Sequence, residues 1–275
     1  MVIKKIGVIA NIEKDQSPLH VGHLLQWAAR QNVTVFLEQE IARKIGNSPG
    51  YTIGRLKKMT ELLVVIGGDG TLLRTARLVK DVPIPIMGIN LGVFGYLTEV
   101  NLNEMTSVME LVIQGQFRTE TRMMLDVLIR RGQNKPVTHS VLNDVVINRG
   151  SLSRMVSLET FVDGRFLTTY RADGLIVSTP TGSTAYSLSA GGPIILPTQE
   201  LIIINPICPH TLTNRPIILP SSSRISVTLW TKEKGATVTL DGQESFTLKT
   251  GDTIEIVQSR FATNLVASQH HDYLE

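Results

Sequence analysis

The sequence predicts an α/β domain at the N-terminus followed by a mostly β domain. Through about the first 116 residues, apolar strand-like runs alternate with amphipathic helical segments. Beyond about Gln116, short strand-like runs follow one another and turn residues separate them. Repeated strand–helix units favour a parallel sheet covered on both faces, whereas successive hairpins favour antiparallel pairing. We therefore expect domains at 1–116 and 117–260, and a tail at 261–275 whose packing against the first domain the sequence leaves open.

The elements of the first domain follow from hydrophobic periodicity. In Thr71–Val79, for example, the residues Leu72, Thr75, Ala76 and Val79 fall on one side of a helix. Compact apolar runs that end at glycine or polar residues predict buried strands. The predicted strands are Ile3–Ala10, Val33–Leu37, Glu61–Ile66 and Ile84–Ile89, and the predicted helices are His20–Gln31, Thr71–Val79 and Leu102–Ile113. This alternation is typical of a Rossmann-like parallel sheet.

The second domain is predicted from strands that turn residues punctuate. Asp163-Gly164 and Asp241-Gly242 are favourable hairpin turns, because Asp and Gly tolerate the left-handed backbone that tight hairpins need. The predicted strands are Leu125–Arg130, Val141–Asn148, Ser157–Val162, Gly174–Val177, Ile202–Ile204, Arg224–Leu229, Thr237–Leu240 and Thr253–Ile256. We therefore expect a mostly β, antiparallel framework in this part of the chain.

Composition excludes several function classes. The formal net charge is +3 over 275 residues, and no dense Lys/Arg run is present, so nucleic acid is not an expected partner. No apolar run approaches the roughly 18 residues that a membrane-spanning helix needs, so no membrane is expected either. Cys208 is the single cysteine, which excludes an internal disulfide and a cysteine-based zinc site and fits a reducing cytoplasm.

A glycine-rich loop follows the predicted strand Glu61–Ile66. It is Gly67-Gly68-Asp69-Gly70-Thr71, and it leads directly into a predicted helix. Glycines let a ligand approach the main chain, and the N–H groups at a helix start favour phosphate. A carboxylate in such a loop would repel a phosphate at close range. Asp69 therefore points to a different role, which is binding a hydroxyl, holding a metal ion or accepting a proton.

Alternatives for this loop stay open at this point. Asp is a good helix cap, so Asp69 in a merely structural turn is the first alternative. The loop lacks the Gly-Lys-Ser/Thr of a Walker A motif, and no Gly-x-Gly-x-x-Gly follows the first strand. Any nucleotide would therefore have to be bound by a loop of another kind.

Further along the chain, polar segments provide candidate binding residues. Asn143-Asp144 places an amide beside a carboxylate at a strand edge, which suits sugar hydroxyls, although a plain edge-strand pair would look the same. The segment Tyr170–Pro193 combines a strand with a Gly/Ser/Thr-rich turn, and its Tyr186 can stack on a flat ring. Within it, Ser187–Gly191 lacks the first glycine of the Gly-x-Ser-x-Gly hydrolase motif, so we reject a serine hydrolase.

These motifs together resemble the NAD kinase family, bacterial type. The Gly67–Thr71 loop alone is shared with diacylglycerol-type lipid kinases and, more loosely, with phosphofructokinases. The Tyr170–Pro193 segment matches NAD kinases nearly residue for residue, and Asp241-Gly242-Gln243 matches their Asp-Gly-Gln. NAD kinases usually carry Asn-Glu where this chain has Asn143-Asp144, a side chain one methylene shorter. The resemblance extends from the first strand to Gln243.

The resemblance implies an enzyme that phosphorylates NAD on the 2′-hydroxyl of its adenosine ribose and makes NADP. Asp69 would be the catalytic base, and the loop residues that receive phosphate would be Gly67, Gly68, Gly70 and Thr71. The implied NAD-binding residues are Asp69, Gly70, Arg74, Asn143, Asp144, Arg154, Arg171, Asp173, Thr184, Ala185, Tyr186, Ser187, Leu188, Ser189 and Gln243. For each arginine the alternative is a surface ion pair.

The resemblance also implies the partners of the enzyme. NAD and ATP, or another phosphate donor, would be its substrates, and Mg²⁺ or Mn²⁺ would arrive on the donor phosphates rather than in a protein cage. The family implies a cytoplasmic homodimer or homotetramer. Two other functions stay open from the residues, namely a lipid kinase with the same loop and an NAD(P)-binding sensor without catalysis.

Overall fold

The computed structural model describes residues 2–46, 49–92, 95–132, 136–150, 155–211, 214–232 and 234–267. These residues form two units. The first unit runs to Thr121 and resumes at Ala262, and the second comprises Arg122–Phe261. Across the described ranges, no helix combines the length and the apolar character needed to cross a membrane.

The first unit is α/β, as the sequence predicts. Its strands are β1 (Lys5–Ala10), β2 (Thr34–Glu38), β3 (Gly50–Tyr51), β4 (Leu62–Gly67), β5 (Pro85–Asn90) and β6 (Val100–Asn101). Its helices are α1 (Ser17–Arg30), α2 (Gln39–Ile45), α3 (Ile53–Met59), α4 (Asp69–Val79) and α5 (Met105–Ile113), with a short 3-10 helix at Leu102–Glu104 before α5. The predicted strands and helices of this unit are therefore present, with ends displaced by a few residues.

The strands of the first unit form a parallel sheet in the order β3-β2-β1-β4-β5-β6. This is the doubly wound, Rossmann-like order, which confirms the predicted fold class. Every residue of β4 is buried, because helices cover both faces of the sheet. The chain reverses its direction of travel across the sheet between β1 and β4. At such a point the carboxyl ends of the strands leave a crevice where ligands bind.

The second unit is mostly β. Its strands are β7 (Thr119–Arg130), β8 (Val137–Val141), β9 (Asp144–Asn148), β10 (Val156–Val162), β11 (Arg165–Ala172), β12 (Gly174–Ser178), β13 (Leu201–Ile207), β14 (Ile217–Pro220), β15 (Ile225–Trp230), β16 (Thr237–Leu240), β17 (Glu244–Thr247) and β18 (Thr253–Val266). A 3-10 helix at Thr181–Thr184 and the short helix α6 (Tyr186–Ser189) follow β12. β7 starts and β18 ends in the first unit, where Asn264 and Leu265 pair in parallel with Pro85 and Ile86 of β5.

Two sheets enclose the core of the second unit. One has the order β14-β13-β12-β9-β16-β17 and is antiparallel. The other contains β11, β10, β15, the first part of β18, β7 and β8. Apolar side chains of both sheets, for example Leu158 and Val177, belong to one buried cluster, as in a β-sandwich. The predicted β-rich C-terminal part is therefore confirmed.

One predicted strand of this unit is wrong. The sequence predicts a continuous strand over Val141–Asn148, whereas the structure has β8 and β9 on either side of Leu142-Asn143. β8 pairs with β7 in one sheet, and β9 pairs with β12 and β16 in the other. Leu142-Asn143 is therefore a corner where the chain passes between sheets. Its N–H groups are bound by a distant carboxylate rather than by a strand neighbour.

Candidate active site

The glycine loop lies at the reversal point of the first unit. β4 ends at Gly67, Gly68 is the cap residue of α4, and Asp69 is the first helical residue. The N–H groups of Thr71 and Leu72 donate to the Gly68 carbonyl at 3.0 and 3.3 Å. A Cβ on Gly67 would lie 2.7 Å from Thr71 Oγ1, so the turn has no room for a side chain there. The predicted strand–turn–helix arrangement is confirmed, with the amides of the α4 start at the carboxyl edge of the sheet.

The carboxylate of Asp69 is held by a second loop, between β5 and β6. Its Oδ2 accepts the N–H of Tyr96 at 3.0 Å. Its Oδ1 accepts the N–H groups of Leu97 (3.2 Å) and Thr98 (3.1 Å) and the Thr98 hydroxyl (3.0 Å). The helix-cap interpretation is therefore wrong, because the cap residue is Gly68 and the Asp69 side chain turns to the other loop. The acid is fixed in orientation, and Oδ2 is the less occupied oxygen.

The loop that holds Asp69 was not identified from the sequence. Gly95 makes the close approach possible, because a Cβ at this position would lie 2.3 Å from Asp69 Oδ1 and 2.8 Å from Thr98 Oγ1. A signal for this loop does exist. β5 is the parallel neighbour of β4, so the segments that follow the two strands must emerge at the same edge of the sheet. A glycine there, three residues before a threonine, marks a position where backbone meets a neighbouring group.

In the second unit, the predicted Asn143-Asp144 pair lies at the corner between β8 and β9. The carboxylate of Asp241 accepts the main-chain N–H groups of Leu142 (3.1 Å), Asn143 (2.8 Å) and Asp144 (3.2 Å). The N–H of Asp241 donates in return to the Asp144 carbonyl at 3.0 Å. Asp241 also begins the β16–β17 turn with a φ of 49°, which confirms the predicted hairpin. Its carboxylate is thus a structural clamp, a role that the sequence did not indicate.

The same corner is held from its other side by the start of the Gly/Ser/Thr-rich turn. The Thr179 hydroxyl donates to the Leu142 carbonyl at 2.6 Å, and the Thr179 N–H donates to the Asn143 carbonyl at 2.9 Å. The Ser178 hydroxyl donates to the Asn143 carbonyl at 3.1 Å. A Cβ on Gly182 would lie 2.3 Å from that carbonyl oxygen, so the turn packs directly on the corner. The peptide groups of the corner are therefore satisfied internally.

A pocket of about 330 Å³ opens beside this corner, within the second unit. It brings together four predicted binding residues and five that were not predicted to bind. Its lining consists of Asn143, Asp144, Val146, Asn148, Ala185, Tyr186, Thr239, Asp241 and Gly242. The Oδ1 atom of Asn143 is buried and has no hydrogen-bond partner within the described residues. Tyr186 is 43% exposed, so its ring is available to a ligand. Polar atoms and an aromatic ring suit a nucleoside-like ligand.

The carboxyl group of Asp144 is the most perturbed acid of this pocket. Asp144 is 3% exposed. Burial, and in second place the nearby charge of Asp241, raise the pKa of Asp144 from 3.8 to about 7. Strongly perturbed acids in clefts are typical of functional sites.

The predicted Thr184–Ser189 stretch divides between the pocket and the interior. Ala185 and Tyr186 line the pocket. Ser187 is fully buried, and its carbonyl accepts a hydrogen bond from the side-chain amide of Asn205 at 2.9 Å. Ser187 therefore supports the turn from inside, whereas contact with a ligand stays a prediction for Thr184, Leu188 and Ser189.

Two predicted ligands of the phosphates or riboses are engaged in ion pairs. Arg74 lies 3.3 Å from Glu38 Oε1 and 3.9 Å from Glu40 Oε2. Burial raises the pKa of Glu38, and the charge of Arg74 opposes that shift. Asp173 pairs with Arg149 at 2.7 Å. These pairs orient both side chains, and their contacts with a ligand stay predictions.

The remaining predicted site residues are exposed or outside the description. Arg171 and Gln243 are exposed, with Gln243 in the β16–β17 turn beside the pocket-lining Gly242. Arg154 lies outside the described residues. Among the residues that the structure does describe, no group of three or more His, Cys, Asp or Glu side chains is placed to hold a metal ion.

Comparison with protein families matches both parts of the chain. Residues 6–117 match the ATP-NAD kinase N-terminal domain, and residues 142–268 match the ATP-NAD kinase C-terminal domain. The chain is 45% identical over 273 residues to an NAD kinase of Geobacter metallireducens, an alignment that covers 99% of this chain and 96% of the relative. It is 46% identical over 275 residues to an NAD kinase of Geotalea daltonii, with the same coverage of both chains.

Solved structures give the same result. The yeast NADH kinase complexed with NADH superposes with a TM-score of 0.89 at 28% identity, covering 100% of this chain and 86% of the yeast chain. An NAD kinase from Archaeoglobus fulgidus in complex with ATP gives a TM-score of 0.75 at 27% identity, covering 96% of this chain and 94% of the other. The family matches, the curated relatives and these structures agree with the loop and pocket described above: the chain belongs to the ATP-NAD kinase family.

Proposed function

We propose that this NAD kinase transfers the γ-phosphoryl group of ATP, or of another phosphate donor, to the 2′-hydroxyl of the adenosine ribose of NAD. The observation that carries the proposal is the Asp69 carboxylate, which follows a glycine turn at the start of α4 and is held by main-chain amides of the loop between β5 and β6. An acid in this position suits a hydroxyl that must lose its proton beside a phosphate.

Asp69 supplies the base in this proposal. A ribose hydroxyl is a weak nucleophile, and its proton must leave as the new P–O bond forms. Oδ2 of Asp69, which carries the single N–H of Tyr96, accepts the hydroxyl proton and aims the oxygen at the γ-phosphorus. Most of the acceleration in phosphoryl transfer comes from positioning and charge stabilisation. Holding the carboxylate through Tyr96, Leu97 and Thr98 serves that positioning.

Phosphate groups are bound at the loop itself. Gly67, Gly68, Gly70 and Thr71 surround the N-terminus of α4, where the helix dipole favours negative charge. Arg74 lies on the next turn of α4, and the proposal keeps it as a phosphate contact that Glu38 orients. Mg²⁺ or Mn²⁺ enters on the donor phosphates, as part of the substrate.

The pocket of the second unit binds NAD in this proposal. Asn143 and Asp144 hydrogen-bond to the dinucleotide, and the Tyr186 ring stacks on a flat group. Further contacts are assigned to Arg154, Arg171, Asp173, Thr184, Leu188, Ser189 and Gln243. We also propose that the protein is cytoplasmic and that it forms a homodimer or homotetramer. Sedimentation of the purified protein tests the oligomeric state.

The activity is tested by incubating the purified protein with NAD, ATP and Mg²⁺ and measuring NADP with an NADP-specific dehydrogenase. Parallel reactions with NADH and with diacylglycerol as acceptors identify the acceptor class. We expect NADP to accumulate and diacylglycerol to stay unphosphorylated. Transfer to lipid would establish the lipid kinase alternative, and NAD binding without NADP formation would establish the sensor alternative.

A further inference from the structure

Two carboxyl groups of opposite character meet at the β8–β9 corner. Asp241 is 6% exposed, and its oxygens accept the N–H groups of Leu142, Asn143 and Asp144. N–H donors stabilise the ionised form of a carboxyl group. Asp144 is 3% exposed and lines the pocket. These contacts favour the negative charge on Asp241 and the proton on Asp144.

We propose that Asp144 acts as a neutral carboxylic acid that donates a hydrogen bond to the bound dinucleotide, and that Asp241 is the positioning residue that keeps it in this form. The inference rests on the proposed function, since it concerns how the same pocket binds NAD.

The geometry of the pocket supports this assignment. The main-chain groups of the corner are taken by Asp241 on one side and by Ser178 and Thr179 on the other. Asn143 and Asp144 both line the pocket. Asn143 Oδ1 is a buried acceptor that has no partner among the described residues, and it requires a donor from the ligand. A protonated Asp144 offers the complementary donor, so the pair binds a ligand group that presents a donor beside an acceptor.

The charges around Asp144 favour the neutral form. Burial and the charge of Asp241 raise the pKa of Asp144 to about 7. The strands that flank it, β12 and β16, carry no ionisable side chain, and neither does the 3-10 helix Thr181–Thr184. α6 contributes Tyr186 to the pocket. Further along the turn, Glu244 of β17 lies 3.5 Å from His139 of β8. No cation in this set neutralises an ionised Asp144.

Proton uptake on binding tests the proposal directly. NAD binding is measured by calorimetry near pH 8, in buffers that differ in ionisation enthalpy. If Asp144 must be protonated to donate, the wild-type protein takes up close to one proton as NAD binds, and its Kd rises by about tenfold for each pH unit above 7. Asp144→Asn keeps a donor that does not titrate. We therefore expect no proton uptake and a Kd independent of pH for that variant.

Asp241→Asn tests the positioning role. Removing the neighbouring charge lowers the pKa of Asp144, so the pH at which the Kd begins to rise shifts toward acid. A merely structural role would raise the Kd equally at every pH. The matched control is Asp252→Asn, since Asp252 is also 6% exposed and accepts a turn N–H, that of Lys249 at 2.9 Å. This control should retain the proton uptake of the wild type.

Two results would overturn the inference, and they are distinguishable. NAD binding without proton uptake in the wild type, or equal uptake in Asp144→Asn, contradicts the neutral acid while the proposed function stands. Complete absence of NAD binding contradicts both. If Asp241→Asn fails to fold, the comparison of the wild type with Asp144→Asn still decides the question.

Discussion

At the scale of single residues, the position of the Asp69 carboxylate depends on a glycine in another loop. Gly95 has no room for a side chain, because its Cβ would meet Asp69 Oδ1 at 2.3 Å. The hydrogen bonds from Tyr96, Leu97 and Thr98 require this approach. A catalytic group that is misplaced by about 1 Å can lower the rate by about 100-fold. The loop between β5 and β6 is therefore part of the proposed catalytic arrangement.

Gly95→Ala should therefore lower kcat by roughly 100-fold, because the new methyl group displaces the Asp69 carboxylate. Gly92→Ala is the matched control, since a Cβ there would meet nothing within 4 Å, and it should keep kcat near the wild-type value. Steady-state NADP formation checks both variants. Equal kcat values for the two would show that the close approach of Gly95 has no catalytic role.

At the scale of elements, long-range hydrogen bonds decide where strands begin and end. Leu142 and its acceptor Asp241 are 99 residues apart, and that bond replaces a strand neighbour at the β8–β9 corner. Periodicity measures only local pattern, so it predicts one strand over Val141–Asn148. β14 was not predicted, and β11 and β17, the second arms of the two predicted hairpins, were predicted without bounds, for a related reason. Their exposed or half-buried residues give little apolar signal, and their pairing partners provide the structure.

The sequence was more informative where a strand is fully buried or where a turn requires residues that tolerate a left-handed backbone. β4 is apolar throughout and ends at glycine, so both its position and the loop after it were predictable. The Asp163-Gly164 turn was predictable because Asp and Gly tolerate a left-handed backbone. The structure shows that backbone at both residues, with φ of 50° and 77°. The roles of Asp241 and Gly95 were not predictable, because they depend on contacts between segments far apart in the sequence. The four pocket residues that were predicted came largely from family resemblance rather than from the pattern itself.

Thr179→Val should destabilise the protein by about 1–3 kcal/mol. Thr179 is fully buried, its hydroxyl donates to Leu142 O at 2.6 Å, and it accepts the Gly182 N–H at 3.1 Å. The substitution preserves shape but leaves both groups without this partner. Thr160→Val is a control of equal burial, and its hydroxyl makes a local 3.2 Å bond to Leu158 O. Urea unfolding should show the larger loss of unfolding free energy for Thr179→Val. The reverse order would contradict the role of Thr179 in holding the β8–β9 corner.

At the scale of the whole molecule, the two units carry different parts of the proposed function. The first unit contains the base and the phosphate loop, and the second contains the pocket assigned to NAD. The second unit also carries an energetic cost, since its pocket buries an acid whose pKa is raised to about 7. That cost makes the stability of the NAD-free protein depend on pH.

The direction of this pH dependence follows from the raised pKa of Asp144. Between pH 3.8 and about 7, folded Asp144 retains a proton that the unfolded chain has released. The free energy of unfolding therefore falls as pH rises through this window, by an amount on the order of a few kcal/mol. Asp144→Asn lacks this titration, so its stability relative to the wild type should be greater near pH 8 than near pH 5. Urea unfolding at both pH values, with Asp252→Asn as control, would contradict the account if the wild type and Asp144→Asn changed in parallel.

The most direct test of the account is Asp69→Asn, measured for turnover and for NAD binding. Asparagine retains an acceptor oxygen but does not take a proton at neutral pH. We predict that kcat falls by about 10²–10⁴-fold while the Kd for NAD stays within about threefold of the wild-type value. A folded Asp69→Asn protein that forms NADP at nearly the wild-type rate would contradict the assignment of Asp69 as the base.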